Sequence, residues 1–153
     1  MNRMKWKYGL FGAIFTLFFS CNNNQNDNNE KKPAEVKDEW NCYHYMKNKD
    51  TVILKVKTVN GLVKGTLIYN LYEKDKNRGT IDGRIEGEIL LADYTFNSEG
   101  TTSIRPVAFK KSGNNFIEGF GETENKNGKE AFKNIDSLNY DHSFMLVPFD
   151  CDK

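Results

Sequence analysis

The chain has 153 residues, of which 38% are hydrophobic and 28% charged, and its formal net charge at pH 7 is +1. A chain of this length folds as one domain with a core of ordinary size. The balanced charge argues against nucleic acid, which requires a concentrated positive patch on the protein, so we expect no nucleic-acid partner.

The first twenty residues have the pattern of an export signal. A short basic segment without acidic residues comes first and is followed by an uncharged, mostly apolar run at 9–19. This run is too short for a membrane-spanning helix, which needs about 20 apolar residues. It ends at Ser20 and Cys21, as in bacterial lipoprotein signals. We therefore predict a lipoprotein signal peptide at 1–20 and a lipid on Cys21. An ordinary secretory signal and an uncleaved anchor are the alternatives.

Residues 21–39 are rich in asparagine, and Ala34 and Val36 are the only apolar residues after the cysteine. Such a stretch cannot offset its ordering entropy by burying apolar surface, which predicts a flexible tether. The lipid on Cys21 would make the membrane one partner of the protein. In the enterobacterial lipoproteins that the signal resembles, a residue such as Asn22 after the cysteine is compatible with transport to the outer membrane. We expect an outer-membrane lipoprotein of the cell envelope and leave its periplasmic or surface orientation open.

The three cysteines predict one disulfide bond. An exported chain with an odd number of cysteines has one left over, and acylation of Cys21 would account for it. Cys42 and Cys151 would then pair in an oxidising compartment. A metal site with His44 and His142 is the alternative, but the chain has no Cys-x-x-Cys or His-x-x-x-His spacing. We assign no metal-binding residue and expect no cofactor.

After Trp40 the apolar residues alternate with polar ones, and glycine or asparagine turns interrupt the alternation. This pattern predicts an all-β domain at 40–153, built as an antiparallel meander of about eight strands. Pairing of the first and last cysteine-bearing strands would close the sheet into a small barrel. The long connection at 123–142 requires structure of its own, and we predict a short helix near 130–137. The predicted two-residue turns are Asn60-Gly61, Glu86-Gly87, Glu99-Gly100 and Gly113-Asn114.

These turns set the strand registers. The turn at Glu86-Gly87 places Gly83 opposite Leu90 and Ile81 opposite Ala92. If Cys42 lies opposite Cys151, His44 lies opposite Phe149. The last strand then turns an apolar strip outward, which either packs under the 123–142 segment or contacts a partner. The residues of this strip are Met145, Val147 and Phe149.

The registers also bring charged residues onto the inner face of the predicted barrel. Arg105 lies opposite Tyr94 on one side and opposite Glu122 on the other, and Glu118 is two pairs further along. Charges inside a small barrel need partners, which makes these four residues the candidate ligand-binding site. The alternatives are an ion-pair network that only fixes the register, or a bulge at Pro106 that turns Arg105 outward. The chain has no recognisable catalytic motif, so we assign no catalytic residue.

Several of these features resemble a group of small lipoproteins of Bacteroidota-type bacteria whose functions are uncharacterised. The resemblance rests on the signal, the tether, the segment Cys42-Tyr43-His44, the turn from Glu73 to Thr80, the run from Ala92 to Gly100 and the terminal Cys151. It implies a cell-envelope location and no particular mechanism.

The leading functional hypothesis is a non-enzymatic, lipid-anchored β-barrel that binds a small apolar or amphipathic ligand, or a protein. The second hypothesis is an inhibitor of a hydrolase that uses the charged loop at 73–79, and the third is a hydrolase that uses Glu118 and Glu122. An interior cavity of about 300 Å³ or more would favour ligand binding. A filled interior with one protruding loop would favour inhibition.

Overall fold

The computed structural model describes residues 39–74, 76–98, 100–141 and 144–152. The predicted signal peptide, Cys21, nearly all of the predicted tether and His142 lie outside these residues. In the described part of the chain, no helix is long and apolar enough to cross a membrane. The elements are β1 (Asn41–Lys47), β2 (Asp50–Val59), β3 (Leu62–Asn70), β4 (Asn77–Glu86), β5 (Ile89–Ser98), β6 (Thr101–Ser112), β7 (Asn115–Gly119), β8 (Thr123–Lys126), β9 (Lys129–Phe132), the 3-10 helix η1 (Ile135–Ser137) and β10 (Met145–Phe149).

Eight of the strands form a closed antiparallel barrel in the order β1-β10-β7-β6-β5-β4-β3-β2. This confirms the predicted all-β barrel and its meander. The interior is filled by side chains of the inward-facing positions, as expected for a barrel of this strand number. The large side chains that are fully buried include Leu54, Leu67, Ile81, Leu90, Tyr94, Phe109 and Leu146.

The predicted disulfide between Cys42 and Cys151 is present, with a Cα–Cα distance of 5.3 Å. It links the start of β1 to the residues that follow β10, and β1 and β10 are paired as predicted. The predicted register of this pair is wrong by two residues, because Cys42 lies opposite Phe149 and His44 opposite Val147. Cys151 lies beyond the end of β10, so the bridge is made by a residue after the strand and does not mark a cross-strand pair.

The hairpin of β2 and β3 has the predicted register, with Val59 opposite Leu62. Asn60 and Gly61 both have positive φ, 52° and 78°. A type I′ turn requires positive φ at both central positions, and asparagine and glycine accept it with the least strain. The turn therefore fixes which residues of both strands face the interior.

The hairpin of β4 and β5 differs from its predicted register by two residues. Its turn is Gly87-Glu88, so Gly83 lies opposite Ala92 and Ile81 opposite Tyr94. Gly87 has a φ of 59° and occupies the first central position of the turn. Glycine at that position is typical of type II′ hairpins. A shift of two residues leaves every side chain on its predicted face.

The register of β6 and β7 is as predicted from Ser112 to Phe109, which lies opposite Glu118, but the pairing ends at Ala108 and Gly119. Beyond this point the chain turns back, and Phe120 forms a bridge with Asn139 in place of the predicted Val107. Glu122 therefore does not lie opposite Arg105. Pro106 pairs with Asp93 of β5 in a continuous ladder, so no bulge turns Arg105 outward.

The described part of the predicted 123–142 connection, residues 123–141, folds over the outside of the barrel. In place of the predicted helix near 130–137, β8 and β9 form a hairpin and only Ile135–Ser137 is helical. Leu138 packs against Leu91 and Ala108 on the outer face of β5 and β6, together with the partly buried Ile89, Phe132, Ile135 and Tyr140. This second, smaller core explains why the outer faces of two central strands carry apolar residues.

The outward strip of β10 is not under this segment, which packs on β5 and β6. Met145 is 48% exposed and Val147 is 39% exposed, while the ring of Phe149 lies 4.7 Å from that of His44. The alternative in which this strip packs under the 123–142 segment is therefore wrong.

Candidate functional site

A polar cluster lies inside the barrel, among otherwise apolar side chains. Tyr69 of β3, Tyr94 of β5, Arg105 of β6 and Glu118 of β7 contribute to it. Tyr94 lies opposite Arg105, as the predicted register of β5 and β6 requires. Three of the four predicted site residues are thus brought together, with Tyr69 as a fourth member.

Glu118 is the most deeply buried charged residue of the cluster, with 1% of its surface exposed. The Tyr69 hydroxyl donates a hydrogen bond of 2.5 Å to its Oε1 atom. Its Oε2 atom is buried and has no hydrogen-bond partner among the described residues. Burial raises the pKa of Glu118 to about 7, against the opposing effects of the Tyr69 hydrogen bond and the Arg105 charge. The carboxyl group therefore changes its protonation state near neutral pH.

Arg105 is half-buried, and its guanidinium carbon lies 5.1 Å from the ring centre of Tyr69 and 5.6 Å from that of Tyr94. These are cation–π distances. Within the described residues, Arg105 forms no ion pair or hydrogen bond with Glu118 or any other acceptor. The two rings hold the guanidinium group while its N–H donors remain available.

The Tyr94 hydroxyl is also buried without a partner in the described part of the chain. Burial raises the pKa of Tyr94 to about 12 and raises that of Tyr69 well above its usual value, so both hydroxyls stay protonated. The Tyr94 ring stacks on Phe96 at 4.7 Å and contacts Tyr69 edge-on at 5.7 Å. These contacts fix the two phenol groups in position.

A cavity of about 140 Å³ opens beside this cluster, and we call it the seam cavity. It forms because β7 stops pairing with β6 at Gly119, which leaves the β6 residues near Arg105 without a β7 neighbour. Pro106, which has no N–H to donate, is placed where that neighbour is missing. The cavity is lined by Arg105, Pro106, Val107, Glu118, Gly119, Phe120, Gly121, Thr123, Glu130 and Phe132.

The volume of the seam cavity is below the roughly 300–1,000 Å³ of pockets that enclose a drug-sized ligand. The cavity is several times larger than the roughly 30 Å³ that one water molecule occupies in the liquid. The cavity can therefore receive one functional group of a larger molecule.

Glu122 is not part of this cluster, and its predicted place in the site is wrong. Its side chain is 81% exposed and forms an ion pair of 2.7 Å with Lys133 on the surface. The predicted register failed here because the chain leaves β6 after Gly119. Glu118 and Glu122 consequently do not form a carboxylate pair for acid–base chemistry.

Tyr69 is the site residue that sequence reasoning missed. The confirmed pairing of Val52 with Tyr69 places it on the inner face of β3, so its inward direction was predictable. Its hydrogen bond to Glu118 crosses the barrel between strands that are not neighbours. Pairing arguments that proceed from one hairpin to the next cannot predict such a contact.

Two larger cavities lie outside the barrel interior. One of about 320 Å³ lies between the outer face of β4–β6 and the hairpin of β8 and β9, and an ion pair between Lys129 and Asp93 links its two walls. The other, of about 470 Å³, lies beside the disulfide and includes Trp40 and Asp152. Neither contains a buried polar atom without a partner.

The described residues contain no group of three or more histidine, cysteine, aspartate or glutamate side chains that could hold a metal ion. No protein-family model, no curated protein and no solved structure matches the chain in the three comparisons with known proteins.

Proposed function

We propose that the protein is a non-enzymatic, lipid-anchored binding protein of the bacterial cell envelope, and that its ligand site is the seam cavity. The observation that carries this proposal is the buried Oε2 atom of Glu118, which lacks a partner beside a cavity that Arg105 also lines. Leaving a buried polar group unsatisfied costs about 1–3 kcal/mol, and more for a charged group. A ligand group that bonds to these side chains would recover this free energy.

The shape of the site supports an amphipathic ligand. Only a small polar group fits beside Glu118, because the remaining interior is filled with side chains. The outer wall of the cavity carries Phe120, which is exposed, and Phe132, which is half-buried. An apolar portion of the ligand can lie against these rings while its polar end enters the cavity.

The position of the site within the barrel fits an anchored protein. The chain enters β1 at the end of the barrel that carries the turns at 60–61, 87–88 and 113–114. The seam cavity lies towards the opposite end, where β7 terminates. A tether before β1 would therefore attach away from the mouth of the cavity.

The filled interior and the seam cavity of about 140 Å³ do not meet the criterion of an interior cavity of about 300 Å³, so only part of a ligand would be enclosed and inhibition stays as the second candidate function. The loop that would carry inhibition gives it limited support. Asn77, Arg78 and Gly79 belong to β4 and are paired with β3, so the charged loop predicted at 73–79 is shorter than expected. A short loop offers little surface for insertion into the active site of a hydrolase.

The proposal is tested by analysing small molecules that co-purify with the folded protein from the cell envelope. Mass spectrometry should detect one compound in the wild type and in Arg78→Met, whose arginine is exposed on the outer face of β4. Arg105→Met should lose that compound while remaining folded. Equal amounts in all three proteins, or none in any, would contradict the proposal.

A further inference from the structure

We propose that the seam cavity binds the carboxylate group of an amphipathic molecule, and that Glu118 is protonated in the complex, so that binding takes up one proton. This inference rests on the proposed function, because it assigns the ligand class and the pH dependence of the same site.

The cationic donor that lines the seam cavity is Arg105, and the unpartnered Oε2 atom of Glu118 accepts when it is ionised and donates when it is protonated. Arg105 carries five N–H donors and no acceptor, and its described contacts are the faces of two tyrosine rings. Tyr94 does not line the seam cavity, so Arg105 is the cationic donor that a group inside it would meet. A ligand that satisfies the N–H donors of Arg105 must supply acceptor oxygens. An ammonium group would instead lie beside the Arg105 cation and accept nothing.

Glu118 decides the protonation state of the complex. If it remained ionised, a bound carboxylate would place two negative groups in one small cavity, and such pairs retain a proton between them. Oε1 already accepts the hydrogen bond from Tyr69, so the proton belongs on Oε2, the oxygen without a partner among the described residues, and Glu118 is one of the residues that line the cavity. A proton from solvent then binds Oε2, which donates it in a hydrogen bond to the ligand carboxylate.

The groups that face Glu118 from the surrounding elements agree with this assignment. Tyr69 on β3 and Tyr94 on β5 are neutral, Arg105 on β6 is cationic, and Glu130 on β9 lies at the exposed outer rim of the cavity. With Glu118 protonated, the Arg105 cation and one ligand carboxylate neutralise each other. Burial already raises the pKa of Glu118 to about 7, so the required proton is available near neutral pH.

A carboxylate matches the site in size and geometry. It is planar, and the guanidinium fork binds such groups through two parallel hydrogen bonds. The cavity of about 140 Å³ has room for this group, and the walls beyond it are apolar at Val107, Phe120 and Phe132. An unbranched alkyl chain behind the carboxylate would pack against those walls.

The test is calorimetric titration of the folded protein with octanoate at pH 6, 7 and 8. Repeating the titration in two buffers with different ionisation enthalpies counts the protons taken up. We expect binding with uptake of close to one proton at pH 8, and an affinity that falls by roughly tenfold per pH unit above the Glu118 titration. Octan-1-ol and octyltrimethylammonium should bind at least tenfold more weakly, because neither supplies a carboxylate.

Two variants with matched controls separate the roles of the residues. Glu118→Gln is isosteric and its amide donates at every pH, so octanoate should still bind and the pH dependence should disappear. Arg105→Met should weaken octanoate binding at least tenfold. Glu88→Gln and Arg78→Met, which change exposed residues, should behave as the wild type does.

The outcomes distinguish this inference from the proposed function. The claim that Glu118 is protonated in the complex is wrong if octanoate binds without proton uptake. It is also wrong if octanoate binding has the same pH dependence in Glu118→Gln as in the wild type. Unchanged affinity in Arg105→Met overturns the carboxylate site. If the envelope protein carries a compound that depends on Arg105 and contains no carboxylate, the proposed function stands and the ligand class proposed here is wrong.

Discussion

Glu118 shows how one buried carboxyl group couples the barrel to pH. Its oxygen atoms are in different states, because Oε1 accepts from Tyr69 and Oε2 is buried without a partner in the described residues. The pKa of Glu118 rises from 4.5 to about 7 on folding, so between these values the folded protein binds more protons than the unfolded chain. The contribution of Glu118 to stability is therefore fully present below the unfolded pKa and is lost as pH rises through about 7, which is opposite to the usual behaviour of an acidic residue.

Glu118→Gln should remove this pH dependence. The amide has the same shape and carries no charge, so the variant should be more stable than the wild type at pH 8, by up to about 3 kcal/mol at 1.36 kcal/mol per pKa unit. At pH 4 the two proteins should be equally stable. Urea unfolding at both pH values measures the difference, with Glu88→Gln as the surface control. A wild type that is more stable at pH 8 than Glu118→Gln would show that the buried carboxylate is paired.

At the scale of elements, the turn dipeptides determined how much of the barrel was predictable. Asn60-Gly61 has one low-strain hairpin geometry, and the register of β2 and β3 followed from it. At 86–88 the sequence offers glycine to either turn position, and the pairing of Glu86 with Ile89 in the structure shows that Gly87 comes first. The predicted and observed registers of β4 and β5 differ by two residues. The face of the sheet on which each side chain lies was therefore predicted correctly, but the residue opposite it was not.

The end of β7 could not be predicted from local patterns, because it depends on a contact between distant residues. Gly119 and Gly121 have no side chain, and the Tyr140 ring and Leu138 occupy the space where a Cβ atom would project, both within 2.6 Å of it. Tyr140 and Leu138 therefore lie against the end of β7, and Phe120 pairs with Asn139. This long-range packing opened the seam cavity and removed Glu122 from the site.

A double-mutant cycle tests that packing. Gly119→Ala should destabilise the protein by about 1–3 kcal/mol, the usual effect of overpacking, because the new methyl group meets the Tyr140 ring. In a Tyr140→Ala background the same substitution should have little effect, because the ring is gone. Denaturant unfolding of the four proteins gives the coupling free energy. Additive effects would mean that Tyr140 does not cover Gly119.

For the whole molecule, the proposed anchor and the barrel make independent predictions. The disulfide joins Cys42 to Cys151, so neither of these cysteines is the predicted lipid attachment site, which is Cys21. Metabolic labelling with a radioactive fatty acid should therefore label the wild-type protein and not Cys21→Ser. Cys151→Ser should retain the label, since its cysteine is bonded to Cys42 and is not the predicted lipid attachment site. Equal labelling of wild type and Cys21→Ser would exclude the anchor.

The filled interior and the seam between β6 and β7 are the reasons for proposing a ligand at the side of the barrel and not along its axis. A crystal structure of the protein with octanoate tests this placement most directly. We predict electron density for the carboxylate in the seam cavity, within about 3 Å of the Arg105 guanidinium and of Oε2 of Glu118, as hydrogen bonds require. Octanoate bound instead beneath the hairpin of β8 and β9 or beside the disulfide, with only water at Glu118, would contradict the account.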